Sequence, residues 1–551
     1  MRWEIKNKTK NIKLTDITDI LLENREIKTA KDKKDFLNPP PPDKLSAKDV
    51  GIDPKFLDHA LKRIEKAIEN KESIVVYADY DADGITGCAV VWQTIYKLGG
   101  NIMPYIPHRV DEGYGFSIKG IDKVIAQHKS SLIISVDHGI TAWEKVEYIK
   151  SKGIEVIVTD HHVKPKKLPD CTIIHTTELS GSGIGWFVAK ELLKSSQSAV
   201  SSLQKEDLLA IATIGTIADM VPLLGANRSI VKFGLEALNK TDNPGLNALI
   251  EAAGLVKGQI KTYDVSFILA PRLNAVGRIV HALDALRLLV TTNKEKAKEL
   301  AQKLNSTNRD RQIITEQHLQ HALSVVENQK LNRFKLLIVE HESYNLGVIG
   351  LVAGKLVEQY YRPAIVVAIG EKYAKASARS VKGFNIIDNI RQFQHLLIDA
   401  GGHPMAAGFT VDKSKLNDFK TELIKHAEKI ITPEMLVKKL TVDALLPAEI
   451  INEQLFNEVQ KLAPFGMSNP EPMFALNRAE VVDAYTVGKE KQHLKLRLVK
   501  DSNFFSAIGF NMGDKLQDLS PETKIDVAFS LLFDTFNGRS SLQLKLKDIK
   551  I

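Results

Sequence analysis

The sequence contains little cysteine, with only Cys88 and Cys171 among its 551 residues. Two cysteines provide neither a disulfide framework nor a cysteine-based zinc site, so we expect a protein of the reducing cytoplasm. Long apolar runs are also absent, and none approaches the roughly 20 residues that span a bilayer. The first residues, MRWEIKNKTKNIKL, lack the apolar core of a secretion signal. We therefore expect no membrane partner.

The composition is that of a folded protein with a basic balance. Apolar residues make up 44% of the chain and charged residues 26%, as in soluble globular proteins. A chain of 551 residues is too long for one ordinary core, so we expect roughly two to four domains. The net charge of +8 and the pI near 9.0 suit a polyanionic partner such as nucleic acid, although many basic proteins bind none.

The first part of the chain predicts an arm followed by an α/β domain. Residues 1–45 are charged and end in the proline-rich stretch NPPPPDKL, which favours an extended arm and linker. From residue 73, strand-like runs (SIVVYADY, NIMPYIP, SLIISVD and IEVIVTD) alternate with helical runs. Such alternation is typical of βαβ units, so residues 46–284 are predicted to form a domain with a doubly wound parallel sheet.

The rest of the chain predicts a connector and two further domains. Residues 285–330 are polar and largely helical, with one break near Asn305 to Thr307, which suits a long helical connector. The β/α pattern restarts in residues 331–432 and predicts a second, smaller α/β domain. Short alternating strands in residues 433–551, such as HLKLRLVK and SLQLKLKDI, predict an OB-type β-barrel.

Carboxylates follow the predicted strands of the first domain. Asp79, Asp81 and Asp83 close or follow the first strand, Asp137 ends the next buried one, and Asp160, with His161 and His162 behind it, ends IEVIVTD. The carboxyl ends of parallel strands share one edge of a sheet, where ligands bind. Any one of these residues could instead be a turn or helix-capping residue. Together they indicate a centre for Mg²⁺ or Mn²⁺, in which two ions about 4 Å apart act on a phosphodiester. The role of His138 stays open between support for this centre and helix entry.

Several segments carry a family resemblance. VTDHHV (158–163), with YADYDADGITG and SVDHGI before it, resembles the DHH phosphoesterase superfamily. Five later segments are similar to the single-strand-specific exonucleases of that superfamily: GTIADMVPL, APRLNAVGR, SARSVKGFNI, GGHPMAAGF and PFGMSNPEPMF. The resemblance covers nearly the whole chain from about residue 70. It implies a catalytic domain at 46–284, a substrate-binding domain at 331–432 and a nucleic-acid-binding barrel at 433–551.

The resemblance also implies a set of site residues. The implied metal ligands are Asp79, Asp81, Asp83, Asp137, His161 and Asp219, with Asp137 bridging two ions. His162 would contact the scissile phosphate, and Asp160 would orient the histidines. DNA and its phosphates would be held by Arg109, Asn274, Arg278, Ser377, Arg379, Gly402 and His403. Many relatives have glycine at Ala78 and some have histidine at Tyr77, so the first ion would depend more on Asp79 in this chain.

The activity that the resemblance implies is hydrolysis of single-stranded DNA from the 5′ end to 5′-mononucleotides, in DNA repair and recombination. The implied cofactors are two divalent cations, Mn²⁺ or Mg²⁺. The implied partners are single-stranded DNA, a single-strand-binding protein and a helicase, and the protein itself is expected to be a monomer. In the predicted barrel, Lys495, Arg497 and Lys500 precede Phe504, Phe505 and Phe510, a pattern that suits a groove for single strands. Each phenylalanine alone is nevertheless favoured as barrel core.

Two alternatives stay open. A small-substrate member of the superfamily would act on pyrophosphate, oligoribonucleotides or cyclic dinucleotides, but such relatives generally lack a terminal barrel. An inactive DHH-fold scaffold in replication would have no need of the complete ligand set.

Overall fold

The computed structural model describes residues 1–9, 12–109, 111–195, 205–536 and 539–551, apart from the side chains of 535–540. The chain forms two compact units. The larger unit comprises Trp3–Asn274, Ala282–Gln302 and Leu440–Ile551, and the smaller unit comprises Met1–Arg2, Ala275–His281 and Lys303–Lys439. Within the described residues, no helix combines the length and apolar character that crossing a bilayer requires.

The N-terminal segment is folded rather than extended. Its elements are β1 (Arg2–Asn7), α1 (Ile17–Glu23), α2 (Ala30–Leu37) and α3 (Pro54–Glu69). Thr29 caps α2 by accepting a hydrogen bond from the Asp32 amide, and Asp53 caps α3 in the same way. Ile17, Leu21 and Phe36 are buried in a core that they share with residues 444–546. For the described residues 1–9 and 12–45, the expected extended arm is therefore wrong, because their apolar side chains pack into this core.

A five-stranded parallel sheet organises the first half of the larger unit. Its strands are β2 (Ser73–Ala78), β3 (Asn101–Tyr105), β4 (Leu132–Val136), β5 (Glu155–Asp160) and β6 (Thr172–His175). The strand order is β3-β2-β4-β5-β6. After β2 the chain first adds β3 on one side and then β4 to β6 on the other, so the topological switch point lies between β2 and β4. The three central strands, β2, β4 and β5, are almost entirely buried and rich in valine and isoleucine, as expected where both faces of a parallel sheet are covered.

Helices cover both faces of this sheet. The next helices along the chain are α4 (Ala82–Lys97), α5 (Ile118–His128) and α6 (Trp143–Ser151). Apolar residues of α5 and α6 pack against Val75, Tyr77 and Ile133, which share one face. Gly87 of α4 approaches Val136, whose side chain points to the opposite face. The predicted doubly wound parallel sheet is confirmed.

A helical region follows the sheet. Its helices are α7 (Gly181–Ser195), α8 (Lys205–Ala218), α9 (Gly225–Lys240), α10 (Pro244–Ala252), α11 (Thr262–Asp264), α12 (Ala270–Ile279), α13 (Leu283–Val290) and α14 (Lys294–Asn328), with a π-helical turn (Val265–Leu269) between α11 and α12. The long connector is α14, whose 35 residues run without interruption. The break predicted near Asn305 to Thr307 is wrong, because Leu304, Thr307 and Asn308 are buried on one side of the continuous helix, and this packing outweighs weak local helix propensity.

The smaller unit contains a mixed five-stranded sheet. Its strands are β7 (Leu337–His341), β8 (Ala364–Ile369), β9 (Tyr373–Arg379), β10 (Leu397–His403) and β11 (Ala406–Asp412), and its helices are α15 (Ile349–Tyr360), α16 (Ile386–Arg391) and α17 (Leu416–Ile430). The order is β10-β11-β9-β8-β7, and only β7 and β8 run parallel. Part of α14 and α15 share one apolar core with the sheet, and α17 shares a second. This is the predicted smaller α/β domain.

The last strands close into a barrel. After β12 (Lys439–Leu445) and α18 (Glu453–Gln460) come β13 (Phe474–Val487), β14 (His493–Lys500), β15 (Asn503–Gly509), β16 (Lys524–Phe536) and β17 (Arg539–Lys550). The order β13-β14-β15-β17-β16 closes through pairing of β16 with β13, and β12 and β1 extend the sheet beyond β13. Five strands closed in this way confirm the predicted OB-type barrel.

Arg228 of α9 ties the N-terminal segment to the start of the barrel. Its guanidinium is buried and donates to the carbonyls of Phe36 (2.7 Å), Ala463 (2.8 Å) and Pro464 (3.3 Å). It also lies 3.8 Å from the centroid of the Phe36 ring, a cation–π contact. Burial lowers the pKa of Arg228 to about 10, so the side chain keeps its charge at neutral pH.

Arg228→Ala is expected to lower the free energy of unfolding by about 3 kcal/mol, because a buried side chain is lost and three carbonyls, that of Phe36 fully buried, lose a charged donor. Chemical denaturation followed by tryptophan fluorescence measures the change. The control is Lys240→Ala, an exposed cation on the same helix, which should alter stability by no more than about 0.5 kcal/mol. Equal effects of the two variants would contradict the structural role assigned to Arg228.

Candidate metal centre

Three strand ends of the parallel sheet deliver carboxylates to one edge. Asp79 directly follows β2 and its amide donates to the Val136 carbonyl, while the Asp137 amide donates to the Thr159 carbonyl. Asp160 is the last residue of β5. Asp137 has a φ of 66°, a left-handed conformation that turns the chain sharply at the end of β4. The switch point between β2 and β4 thus lies among the three carboxylates.

Two more carboxylates belong to the start of α4. Asp81 caps this helix, and its Oδ1 accepts from the amides of Asp83 (2.9 Å) and Gly84 (3.1 Å). The Asp83 carboxylate accepts from the amides of Gly181 (2.6 Å) and Ser182 (2.9 Å) at the start of α7. Helix N-termini favour negative charge, so both carboxylates are held in fixed positions by backbone donors.

The side chains form one cluster around His161. Its Nε2 lies 3.1 Å from Asp137 Oδ1, 3.5 Å from Asp219 Oδ2 and 4.0 Å from Asp83 Oδ2. Asp219 directly follows α8. Ligand atoms lie within 4.8 Å of one another in three sets: Asp137 with His161 and His162, Asp83 with His161 and Asp219, and Asp79 with Asp81 and Asp137. All six residues expected as ligands are therefore neighbours.

The cluster leaves buried polar atoms without hydrogen bonds. Asp79 Oδ1, Asp137 Oδ1 and His161 Nε2 have no hydrogen-bond partner among the described residues. A buried polar atom without a partner is costly, and crowded carboxylates repel one another. A divalent cation would satisfy these atoms, and a set of carboxylate oxygens with one imidazole suits Mn²⁺ or Mg²⁺. The residues present fit such ions.

The pKa values of the cluster reflect the same burial and repulsion between carboxylates. Burial, followed by the neighbouring Asp81 carboxylate, raises the pKa of Asp79 well above its usual range. Burial and the Asp83 carboxylate do the same to the pKa of Asp137, and they raise the pKa of Asp219 to about 9. Burial also lowers the pKa of His161. The charge of the cluster is thus unfavourable without a compensating positive charge.

Asp160 and His162 form a separate pair. Asp160 Oδ1 accepts from His162 Nδ1 (2.8 Å) and from the His162 amide (3.0 Å), and Oδ2 accepts from the Ile140 amide (2.8 Å). Burial alone would raise the pKa of Asp160, but the hydrogen bonds and charge of His162 lower it to about 2. Burial alone would lower the pKa of His162, but Asp160 raises it. Asp160 therefore orients His162, whose Nε2 lies 3.5 Å from the Tyr114 hydroxyl.

His138 is a core residue. It is buried, its Nε2 lies 2.9 Å from the Tyr77 carbonyl, and its ring packs edge-on against Tyr77 and Phe116. Burial lowers its pKa to about 4. Its side chain is therefore fixed in the core beside the end of β2.

The residues expected to hold phosphate fall in both units. In the larger unit, Asn274 Oδ1 accepts from the Ala82 amide (2.8 Å), and the Arg109 guanidinium lies 5.0 Å from the Tyr80 ring centroid. The other five, Arg278, Ser377, Arg379, Gly402 and His403, belong to the smaller unit.

Within the smaller unit, strand register brings most of these residues together. Arg379 Nη1 donates to Ser377 Oγ (3.1 Å) on β9. Ala406 of β11 pairs with Arg379 on one side and with His403 of β10 on the other. Gly402 adjoins His403 with a φ of 141°, and Arg278 Nη1 donates to the Gly347 carbonyl (3.2 Å).

The sequence alone did not reveal several residues that shape the cluster. The Tyr114 hydroxyl donates to the Asp137 carbonyl (2.9 Å). A Cβ at Gly181 would lie 2.6 Å from Asp137 Oδ1, and a Cβ at Gly215 would lie 2.7 Å from Asp83 Oδ1. The only signal was glycine in GYG, GSGIGW and GTIADM, which is common in ordinary turns and helices.

Comparison with known proteins defines the class. Residues 73–216 match the model of the DHH family N-terminal domain, residues 333–430 match the DHHA1 domain, and residues 442–548 match the RecJ OB domain. Together with the sheet and its carboxylate cluster, these matches define a DHH-domain protein.

Individual relatives narrow the class. The chain is 36% identical to the single-stranded-DNA-specific exonuclease RecJ of Bacillus subtilis, over 100% of this chain and 71% of that protein. It is 33% identical to the Thermus thermophilus protein of the same name, over 90% of this chain and 71% of that protein. The crystal structure of RecJ in complex with Mn²⁺ from Thermus thermophilus superposes with a TM-score of 0.84 at 28% identity, covering 100% of this chain and 79% of that one. The chain belongs to the RecJ family.

A divalent cation should stabilise the protein against heat, because it relieves repulsion and satisfies the buried atoms of the cluster. At about 100 times its dissociation constant, Mn²⁺ is expected to add about 2.7 kcal/mol, and Asp137→Ala should lose most of this gain. Calorimetry with and without Mn²⁺ measures it. The matched control is Asp170→Ala, an exposed carboxylate paired with Lys150. Full Mn²⁺ stabilisation of Asp137→Ala would show that the cluster does not bind the ion.

Proposed function

We propose that the protein is a metal-dependent exonuclease that hydrolyses single-stranded DNA from its 5′ end to 5′-mononucleotides, in DNA repair and recombination. The observation that carries this proposal is the buried cluster of carboxylate and imidazole atoms at the switch point of a RecJ-family fold. Two relatives that the chain matches over 71% of their length are named single-stranded-DNA-specific exonucleases, and the superposed structure is a complex with Mn²⁺. Residues 46–284 are assigned to catalysis, 331–432 to substrate binding and 433–551 to nucleic-acid binding.

Two divalent cations, Mn²⁺ or Mg²⁺, are assigned to the cluster. Their ligands would be Asp79, Asp81, Asp83, Asp137, His161 and Asp219. Asp137 and His161 each belong to two of the three ligand sets, but only Asp137 has two oxygens, so Asp137 would be the residue shared by both ions. When bound, such ions supply a hydroxide near neutral pH and offset the charge that develops on the phosphate.

His162 is proposed to contact the scissile phosphate. Its Nδ1 is hydrogen-bonded to Asp160, and its Nε2, 3.5 Å from the Tyr114 hydroxyl, would donate to a phosphate oxygen. The raised pKa of His162 favours its protonated form, and a preorganised donor lowers the energy of charge developing in the transition state. Asp160 is a positioning residue in this arrangement, since it touches His162 rather than the substrate.

Further basic and aromatic groups are proposed to bind the single-stranded DNA. On the barrel, Phe505 is buried, but Phe504 is 60% exposed, with Arg497 5.2 Å from its ring centroid. An exposed ring beside cations suits a base and its phosphate. Phosphate contacts are also assigned to Arg109, Asn274, Arg278, Ser377, Arg379, Gly402 and His403.

The proposal extends to the setting of the reaction. An enzyme that acts only on single strands needs another activity to open the duplex, so a helicase and a single-strand-binding protein are proposed as partners. The protein is proposed to act as a monomer in the cytoplasm. A small-substrate activity is not favoured, because the closed barrel has no role in it.

A single-stranded oligonucleotide labelled at its 3′ end tests the activity. With Mn²⁺ or Mg²⁺ we expect products that shorten from the 5′ end, and with chelator we expect no cleavage. The rate of Asp137→Ala should be lower than that of the parent by at least about 100- to 1,000-fold. Asp170→Ala should cleave like the parent. Equal digestion of blunt duplex would contradict strand specificity. Cleavage confined to oligomers of a few nucleotides would support the small-substrate alternative, and binding without cleavage would support the scaffold.

His162→Gln separates phosphate contact from metal binding. We expect kcat to fall about 100-fold or more, because a donor to the developing charge is removed, while stabilisation by Mn²⁺ stays near that of the parent. Initial rates on the same oligonucleotide, together with calorimetry, measure both. His59→Ala, an exposed histidine, is the control. Loss of Mn²⁺ stabilisation in His162→Gln would instead make His162 a metal ligand.

A further inference from the structure

A cavity of about 1010 Å³ opens in the larger unit, and none of the cluster's side chains lines it. Its walls come from residues 37–38, α9, residues 260–267, residues 460–471 and strands β16 and β17. We call it the aromatic cleft, because Tyr263, Phe267 and Phe465 line it. The proposed exonuclease activity assigns it no role.

Two aromatic rings of the cleft are unusually exposed. Tyr263 is 64% and Phe267 67% exposed, the highest values among the described aromatic residues. Their ring centroids lie 4.8 Å apart with an interplanar angle of 32°. Phe267 belongs to the π-helical turn Val265–Leu269, a distortion that often marks functional sites. Large apolar groups held together in solvent indicate a binding surface.

The charge of the cleft is positive. Four lysines line it, Lys232, Lys261, Lys461 and Lys545, against one carboxylate, Glu471. Lys461 is neutralised by Glu458. Lys261 and Lys545 are exposed and form no ion pair within the described part of the chain. The cleft therefore suits a polyanion that also presents flat apolar groups.

We propose that the aromatic cleft binds a further stretch of single-stranded DNA, with bases stacked on Tyr263 and Phe267 and phosphates near Lys261 and Lys545. This inference rests on the proposed function and names a second contact for the same substrate. Single-stranded DNA is favoured over an acidic peptide, because a peptide anchor needs an enclosing pocket whereas these rings are two-thirds exposed. Open rings beside lysines are the arrangement that holds single strands without reading sequence.

The double variant Tyr263→Ala/Phe267→Ala tests the cleft in the full chain. Binding of fluorescent oligo(dT) is measured in chelator, so that no strand is cut. For a strand much longer than the roughly 10 nucleotides that one OB fold covers, we expect binding about 10-fold weaker or more. The double variant should bind a strand of a few nucleotides as tightly as the parent does. With Mn²⁺ in place of chelator, it should digest that short strand at the parent's rate. The matched control is Tyr96→Ala, an exposed tyrosine (55%) stacked on Trp92 outside the cleft.

The lysines give an independent readout. Lys261→Gln/Lys545→Gln should reduce the dependence of long-strand binding on salt by about 0.7 in the log–log slope for each phosphate that a lysine no longer neutralises. Long-strand binding equal to the parent in both double variants would overturn the inference. So would unchanged DNA binding with loss of affinity for a glutamate-rich peptide ending in phenylalanine, which would make the cleft a peptide site. If the parent binds single strands without cutting them, the proposed function is contradicted but the DNA-binding role of the cleft is not. That role is still tested by comparing DNA binding of the parent and the variants.

Discussion

The electrostatic cost of collecting several carboxylates in one buried crevice governs the structure around the metal centre. Burial and mutual repulsion both raise the pKa of Asp79, Asp137 and Asp219. The fold opposes this cost with backbone donors: the starts of α4 and α7 hold Asp81 and Asp83, and the Ile140 amide holds Asp160. These donors do not reach Asp79 Oδ1 or Asp137 Oδ1, which are therefore the oxygens that a cation would satisfy.

Close backbone approach is the second requirement of the same region. Gly181 and Gly215 have no Cβ at positions where one would strike the carboxylates of Asp137 and Asp83. Alanine at either position would force the ligand to move. Two neighbouring histidines meanwhile have different tasks because their surroundings differ. The Nε2 atom of His161 faces three carboxylates without a hydrogen bond to them, whereas the Nδ1 atom of His162 is hydrogen-bonded to Asp160.

The features that could be predicted from sequence were those carried by local pattern. Alternating runs indicated the parallel sheet, and the aspartates at strand ends indicated a shared edge, because strand direction alone places such residues together. The packing of the N-terminal segment could not be predicted, since Ile17 and Leu21 find their partners more than 400 residues away in the chain. The break predicted in α14 was wrong, because burial of Leu304, Thr307 and Asn308 on one side of the helix depends on packing that the local sequence does not show. Likewise, no local pattern around Tyr263 and Phe267 predicts that their rings are exposed.

The larger unit is discontinuous in sequence, and this affects how the protein is made. Its core combines residues 12–36 with residues 444–546, and Arg228 joins Phe36 to Ala463. During synthesis the ribosome releases the first partners long before the last, and almost all of the smaller unit emerges between them. The apolar side chains of α1 and α2 therefore lack their final packing partners while about 400 residues are added. Nascent chains that stall before the barrel would expose this surface and become targets for chaperones or proteases.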